Sequence, residues 1–387
     1  MTNDTKNNLT DSKFFLDYLK IIICFFFVLM LIIASINYKV DQEKVYPSYF
    51  KINESKKLSI TDFTKTLIES DNGIVMKNNI WNERDIFYTL ASHPTDAECA
   101  VFGSSAHAQI SSFRTNKSLS KTCSSLINLA VSGGALEDYI AMTESIIQNE
   151  NPPKTIIISI NPWTLNFNRD PRWLHYKKSF TTMMNKIVYR SNNVSQNFNK
   201  TESYNIKLLK NLINLEYFMS SLDLLISKSD DPNELANEFN YNLGLDHNVL
   251  LPDGSTIHSN EDIMGYQKRT IDGISGNQNY KIIPGKWYNE STIEVFAQFV
   301  LYLKKNFEVA LLMTPMHPEV WNSSEQPVVT AMKIVELKVH EIAKSLKIQV
   351  IGSFNPKKVN CTAEEFYDEM HPKDLCLSKL ENVYLTY

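Results

Sequence analysis

Four short segments, far apart along the chain, carry the residue types that acyl transfer through a serine requires. They are Gly103-Ser104-Ser105, Ser132-Gly133, Asn161-Pro162 and Asp368-Glu369-Met370-His371. That chemistry needs a nucleophile, donors for a developing oxyanion, and a base with its own orienting group. Ser105 follows an apolar run and opens a predicted helix over 106–113, so free N–H groups and a favourable dipole would surround it. Taken alone, Ser104 and Ser105 read better as helix caps. Asp368 stands three residues before His371, so one loop can supply both base and orienter. The competing reading is a histidine packed at the start of the last helix, with Pro372 in its first turn. Gly133 follows a predicted strand, where a bare N–H can face a site; with Gly134 beside it, a plain turn is the alternative. Asn161 ends another strand. Its amide is either an oxyanion donor or a turn former before Pro162.

Other polar and aromatic residues are open to two readings each. His317 follows a further predicted strand and either lines the pocket or serves the structure. His107, two residues beyond Ser105 on the predicted helix, points away from it. Trp163, Trp173 and Trp287 either offer flat faces to sugar rings or pack the chain. The eight histidines show no metal-ligand spacing such as H-E-x-x-H, and the 11 glycines form no phosphate-cradling loop. Neither a metal nor another cofactor is expected. A formal net charge of −4, without blocks of Lys or Arg, argues against nucleic acid as a partner.

The elements that must position these residues are an alternating α/β series beginning at 98. Apolar strands are predicted at Cys99–Phe102, Leu126–Val131, Thr155–Ser159, Glu308–Met313 and Ile348–Ile351. Helical periodicity marks 136–147, 291–305 and 328–346. Such alternation predicts a parallel sheet with helices on both faces, which binds its ligand at the carboxyl ends of the strands. The four chemistry-bearing segments fall at or beyond such ends. Between about 165 and 290 the rhythm lapses. That stretch, with a predicted helix near 202–227 and a turn at Pro252-Asp253-Gly254, reads as an insertion covering the site. Residues 58–95 give no clear assignment.

In this order, the segments resemble the SGNH/GDSL hydrolase superfamily over about 98–163 and 306–376. The resemblance implies a three-layer, flavodoxin-like fold with Ser105 as nucleophile, His371 as base and Asp368 as its orienter. It also implies Gly133 and Asn161 as oxyanion donors. Ser104 stands where the family usually has Asp. Ser159 replaces the usual Gly of the third block, and Pro162 follows Asn161 in place of Asp. The chain is further similar to envelope members of that superfamily: the D-alanine transfer protein of the teichoic acid pathway and the SGNH-type proteins of polysaccharide O-acetylation. By that analogy it is a serine O-acyltransferase acting on a cell-envelope polysaccharide beside a membrane-bound O-acyltransferase that supplies the acyl group. A carbohydrate esterase with the same residues and a silent scaffold of an export complex are the alternatives.

Ile21 to Ile36 carries no charge. Extended by flanking aromatics to 18–38, it reads as an uncleaved transmembrane anchor following a cytoplasmic tail at 1–17, of which residues 1–13 are polar and read as unordered. A stalk and lead-in occupy 39–97, and 98–387 form the catalytic domain. Lysines flank the span on both sides, so charge does not orient it. The chemistry and the cysteines place the domain outside the cytoplasm. Cys99, Cys123, Cys361 and Cys376 permit three pairings. The sequence-local one, 99–123 with 361–376, would close loops worth roughly 3 kcal/mol each. Four free thiols are the alternative.

Overall fold

The computed structural model describes residues 4–40, 59–76, 82–166, 172–187, 212–215, 218–219, 221–222, 246–273, 288–323 and 327–387. The stalk over 41–58, Trp287 and most of the helix predicted near 202–227 lie outside these residues. The chain forms two compact units. One comprises Met1–Glu54 with Lys200–Asp230; the other comprises Ser55–Asn199 with Asp231–Tyr387. The stretch read as one insertion is thus divided between them.

The first unit contains α1 (Asp4–Val40). Its segment Phe15–Val40 is long and apolar enough to cross a membrane. The helix begins at Asp4, so the expectation of an unordered polar tail is corrected: polar residues that carry no Gly or Pro continue the helix outward.

The second unit is built on a six-stranded sheet. Its members are β2 (Cys99–Gly103), β3 (Leu126–Ala130), β4 (Thr155–Ile160), β7 (Glu308–Met313), β8 (Gln349–Gly352) and β9 (Tyr384–Leu385). The order is β3-β2-β4-β7-β8-β9. All neighbours run parallel except β9, which pairs antiparallel with β8. The parallel strands are buried almost throughout, which is why they read as unbroken apolar runs. β9 has two exposed residues and gave no such run.

The lead-in that resisted assignment holds α2 (Ile60–Glu69), β1 (Ile74–Met76) and α3 (Glu83–Ser92). Ser59 and Asn82 cap the two helices by accepting from the N–H groups of Asp62 and Arg84. β1 joins β5 (Asn248–Leu250) and β6 (Thr256–Ile257) in a small antiparallel sheet. The remaining helices are α4 (Leu136–Gln148), α5 (Lys177–Ile187), α6 (Asn260–Gly273), α7 (Glu290–Leu303) and α8 (Pro327–Leu346), with shorter helical turns near the C-terminus.

The two faces of the sheet are covered differently. Val101, Ile157, Ala310, Leu312 and Ile351 pack with Ile110, Leu119, Val359, Phe366, Leu377 and Leu380, which lie on loops and short helical turns. Phe102, pointing the other way, stacks on Tyr139 of α4 with ring centroids 5.6 Å apart. One layer is therefore made of loops and short helical turns. Disulfides join Cys99 to Cys123 and Cys361 to Cys376 within it.

Candidate active site

The strand order explains why distant segments meet. β2 lies between β3 and β4 in parallel register, with Gly103 beside Ala130 and Phe102 beside Ile158. Three carboxyl ends thus stand side by side, leading to Ser104-Ser105, Ser132-Gly133 and Asn161. His371 arrives from the loop beyond β8.

Its Nε2 lies 2.9 Å from Ser105 Oγ. Its Nδ1 faces the Asp368 carboxylate at 2.8 and 2.7 Å. Asp368 Oδ1 also accepts the N–H groups of Met370 and His371, at 2.9 and 2.8 Å. Burial works to raise the Asp368 pKa, but hydrogen bonds and charge from His371, with the two backbone donors, outweigh it and hold the carboxyl below its usual range. An ionised Asp368 fixes the proton on Nδ1. The Nε2 lone pair is then turned to the Ser105 hydroxyl.

Three donors next to this serine lack protein acceptors among the described residues: the N–H groups of Ser105 and Gly133, and Asn161 Nδ2, which is buried. Gly133 has φ +63°, a left-handed conformation that glycine adopts without strain. The adjacent Gly134 N–H is instead used in the turn, donating to Val131 O at 2.8 Å. The two glycines therefore have separate tasks.

The lead-in helix pins this turn. Glu83 accepts the Ser132 N–H at 2.9 Å and the Ser132 hydroxyl at 3.2 Å. Arg84, 2% exposed, donates to Asp138 at 2.8 and 3.2 Å and to Ser132 O at 3.3 Å. Asp138 in turn accepts the Ala135 N–H at 3.2 Å. The sequence drew no attention to Glu83 and Arg84, since one acidic and one basic residue at a helix start are unremarkable until their partners are known.

The helix predicted over 106–113 is not formed; a single 3-10 turn spans Ser105–His107. Other groups take the carbonyls that a helix would use. Asn128 Nδ2 donates to His107 O and Ile110 O, both at 2.8 Å, and the Thr256 N–H donates to Ala108 O at 2.7 Å. This turn directs the His107 ring beneath Ser104. A Cβ on Gly103 would come within 2.6 Å of His107 Cβ, so the ring occupies space that only glycine leaves.

His107 is fully buried, and burial above all lowers its pKa to about 3. It is therefore neutral. The Ser104 N–H donates to its Nδ1 at 3.1 Å, so its proton sits on Nε2, facing Thr314 Oγ1 at 3.3 Å. The Ser104 hydroxyl donates to Asn161 Oδ1 at 3.1 Å. That bond fixes the amide with Oδ1 toward Ser104 and leaves the buried Nδ2 as the end without a protein acceptor among the described residues. Ser104 and His107 thus brace the Asn161 amide, and Ser105 alone of the two serines hydrogen-bonds the His371 ring.

His317 sits elsewhere. Its Nδ1 accepts the Glu319 N–H at 3.3 Å, its N–H donates to Glu369 O at 2.9 Å, and its ring meets Phe366 edge-on. It braces the loop that carries Asp368 and His371. Trp163 is half-buried in the turn after Asn161, and Trp173 is buried against Phe180. From α6, Tyr266 brings its ring to 4.7 Å from that of His371, and His258 and Tyr367 pack beside it. The sequence does not point to this aromatic cluster beside His371, because α6 falls where the α/β rhythm lapses. Among the described residues, Cys361, Glu365 and Cys376 gather metal-ligating atom types. Both sulfurs are bonded to each other, and Glu365 pairs with Lys379 at 2.5 Å.

No protein-family model matches the chain, and no curated protein matches it in sequence.

Proposed function

We propose that this chain is a membrane-anchored serine O-acyltransferase of the SGNH/GDSL type. It acts outside the cytoplasm and transfers an acyl group, acetyl in the first instance, to a cell-envelope polysaccharide. The observation that carries this reading is the Ser105–His371–Asp368 chain, with contacts of 2.9 and 2.7 Å, set beside three donors that have no protein acceptor among the described residues. Supporting the location are a helix long enough to cross a bilayer and two disulfides, which persist in oxidising compartments.

In this reading His371 Nε2 takes the Ser105 proton as Oγ attacks the acyl carbonyl. Negative charge develops on the carbonyl oxygen and is met by Ser105 N–H, Gly133 N–H and Asn161 Nδ2. His371 returns the proton to the departing oxygen, leaving acyl-Ser105. It then takes the proton of a sugar hydroxyl as that oxygen attacks the ester, and passes it to Ser105 Oγ as the acyl–Oγ bond breaks, which restores the serine hydroxyl and the neutral imidazole. A membrane-bound O-acyltransferase is the partner proposed to deliver the acyl group.

Labelling by a fluorophosphonate, with the adduct mapped by peptide mass spectrometry, tests the core of the proposal. The adduct is expected on Ser105 and is expected to vanish in Ser105→Ala. A wild-type protein that takes no label would leave a scaffold. Incubation with an acyl donor and oligosaccharide acceptors then separates transfer from hydrolysis. Free acid as the sole product, whatever the acceptor, would make the protein an esterase.

A further inference from the structure

Among the residues of α1 whose side chains are described, one polar residue is wholly shielded. Asn37, near the Val40 end of the apolar segment, is 0% exposed, whereas the phenylalanines at 25, 26 and 27 are 58–70% exposed. What shields it comes from the middle of the sequence. Asn37 Nδ2 donates to Leu212 O at 2.9 Å and to Asn214 O at 3.2 Å. Helical backbone is interrupted at Ile213 and Asn214, and the Asn214 carbonyl accepts the Phe218 N–H at 3.0 Å as well as the Asn37 amide, so the contact from α1 falls at a break in this segment. At the edge of a bilayer such groups need a donor from protein, and an asparagine on a neighbouring helix supplies one.

The residues that follow have a packed side and a bare side. Ser221 is buried, and Phe218 and Leu222 are half-buried. Leu215 and Met219, four positions apart and both of helical backbone, are 63% and 53% exposed, and Ile213 is 49% exposed. Residues spaced by four share a helix face. Apart from the exposed Asn214, the described residues of the bare side are apolar; the segment adjoins a helix whose own surface suits lipid, and it lies by the end of the span rather than at its middle. We propose that this part of the insertion is a second membrane-contacting element, lying in the bilayer interface with Ile213, Leu215 and Met219 toward the acyl chains. The inference rests on the reading of α1 as a membrane span.

The test uses the full-length chain, with Cys24→Ser, in phosphatidylcholine nanodiscs with or without brominated acyl chains. A thiol-reactive fluorophore is placed singly by Leu215→Cys, Met219→Cys, Ile32→Cys or Leu337→Cys. Ile32 lies in the apolar segment; Leu337 is an exposed residue of α8. At least a twofold bromine-dependent loss of fluorescence is expected at 215, 219 and 32, with none at 337. Quenching at 32 without quenching at 215 and 219 would overturn the inference and leave the anchor standing. No quenching at 32 would overturn both. Equal quenching at 337 would reduce the contact to general adhesion and overturn its specificity.

Discussion

Replacing Ser104 by Ala separates the two adjacent serines by their mechanism. Ser104 is 1% exposed; its hydroxyl donates to Asn161 Oδ1 at 3.1 Å, the shorter of its two contacts, the other being His107 Nδ1 at 3.3 Å. Without the bond to Asn161 the amide is no longer held with Oδ1 toward Ser104. A buried neutral hydrogen bond of this kind is worth about 0.5–1.5 kcal/mol net. If that much bias toward the productive orientation is lost, turnover falls roughly 2- to 13-fold. Removing the donor outright, in Asn161→Ala, forfeits an oxyanion contact worth about 10²–10³ in kcat. The two changes act through one group, so Ser104→Ala should cost almost nothing further when added to Asn161→Ala. The assay is steady-state hydrolysis of an aryl acetate by the four proteins of the cycle, with kcat and KM resolved. A loss confined to kcat is expected. Ser104→Ala costing the same factor in both backgrounds would refute the brace. Ser104→Ala abolishing the covalent adduct while Ser105→Ala preserves it would make Ser104 the nucleophile.

Asp368→Asn should lower kcat about 10³- to 10⁴-fold with the fold intact, since an amide no longer holds the proton on His371 Nδ1; full activity would remove Asp368 from the mechanism. Arg84→Met leaves Asp138 buried without its cation and should cost about 3–5 kcal/mol in urea unfolding, much of it recovered in Arg84→Met/Asp138→Leu. His107 gives a pH signature: its folded pKa of about 3 is below the roughly 6.5 of an unfolded histidine, so the unfolded chain binds the extra proton between these values. Stability attributable to His107 is therefore complete above about pH 6.5 and falls as pH drops, by up to about 1.4 kcal/mol per unit. His107→Asn should flatten that slope between about pH 4.5 and 6.5, above the range where Asp368 loses its own contribution; an unchanged slope would mean the ring is protonated in the fold. Opening the Cys361–Cys376 bridge, which closes a separation of 15 residues, should cost roughly 3 kcal/mol and reduce acylation of Ser105, because the loop holding Asp368 and His371 lies inside it.

Much of the sheet was legible because of how it is buried. A parallel strand covered on both faces reads as a run of apolar residues, and Cys99–Gly103, Leu126–Ala130, Thr155–Ile160 and Glu308–Met313 are such runs. The 3.6-residue spacing of Val295, Phe299 and Leu303, or of Val335, Val339 and Ile342, marked α7 and α8 in the same way. The segment 105–113 misled, since its residues suit a helix and only Asn128 and Thr256, distant in sequence, remove the carbonyls that a helix needs. β9 was silent because two exposed residues leave no apolar run, and in the lead-in the helical spacing of Ile60, Phe63 and Leu67 spans only a ten-residue helix among unrelated short elements.

The types of the reacting groups, and the local pairing of Asp368 with His371, belong to the amino-acid sequence, because a carboxylate three residues from an imidazole needs only its own loop to reach it. That Ser105 meets this imidazole, 266 positions away, follows from the strand order of the sheet. So does the difference between two neighbouring serines: one backbone turn sends Ser104 to Asn161 and His107, and Ser105 to His371. Hydrogen-bond partners of that kind are properties of three-dimensional neighbours, and neighbours across a sheet are chosen by packing rather than by distance along the chain.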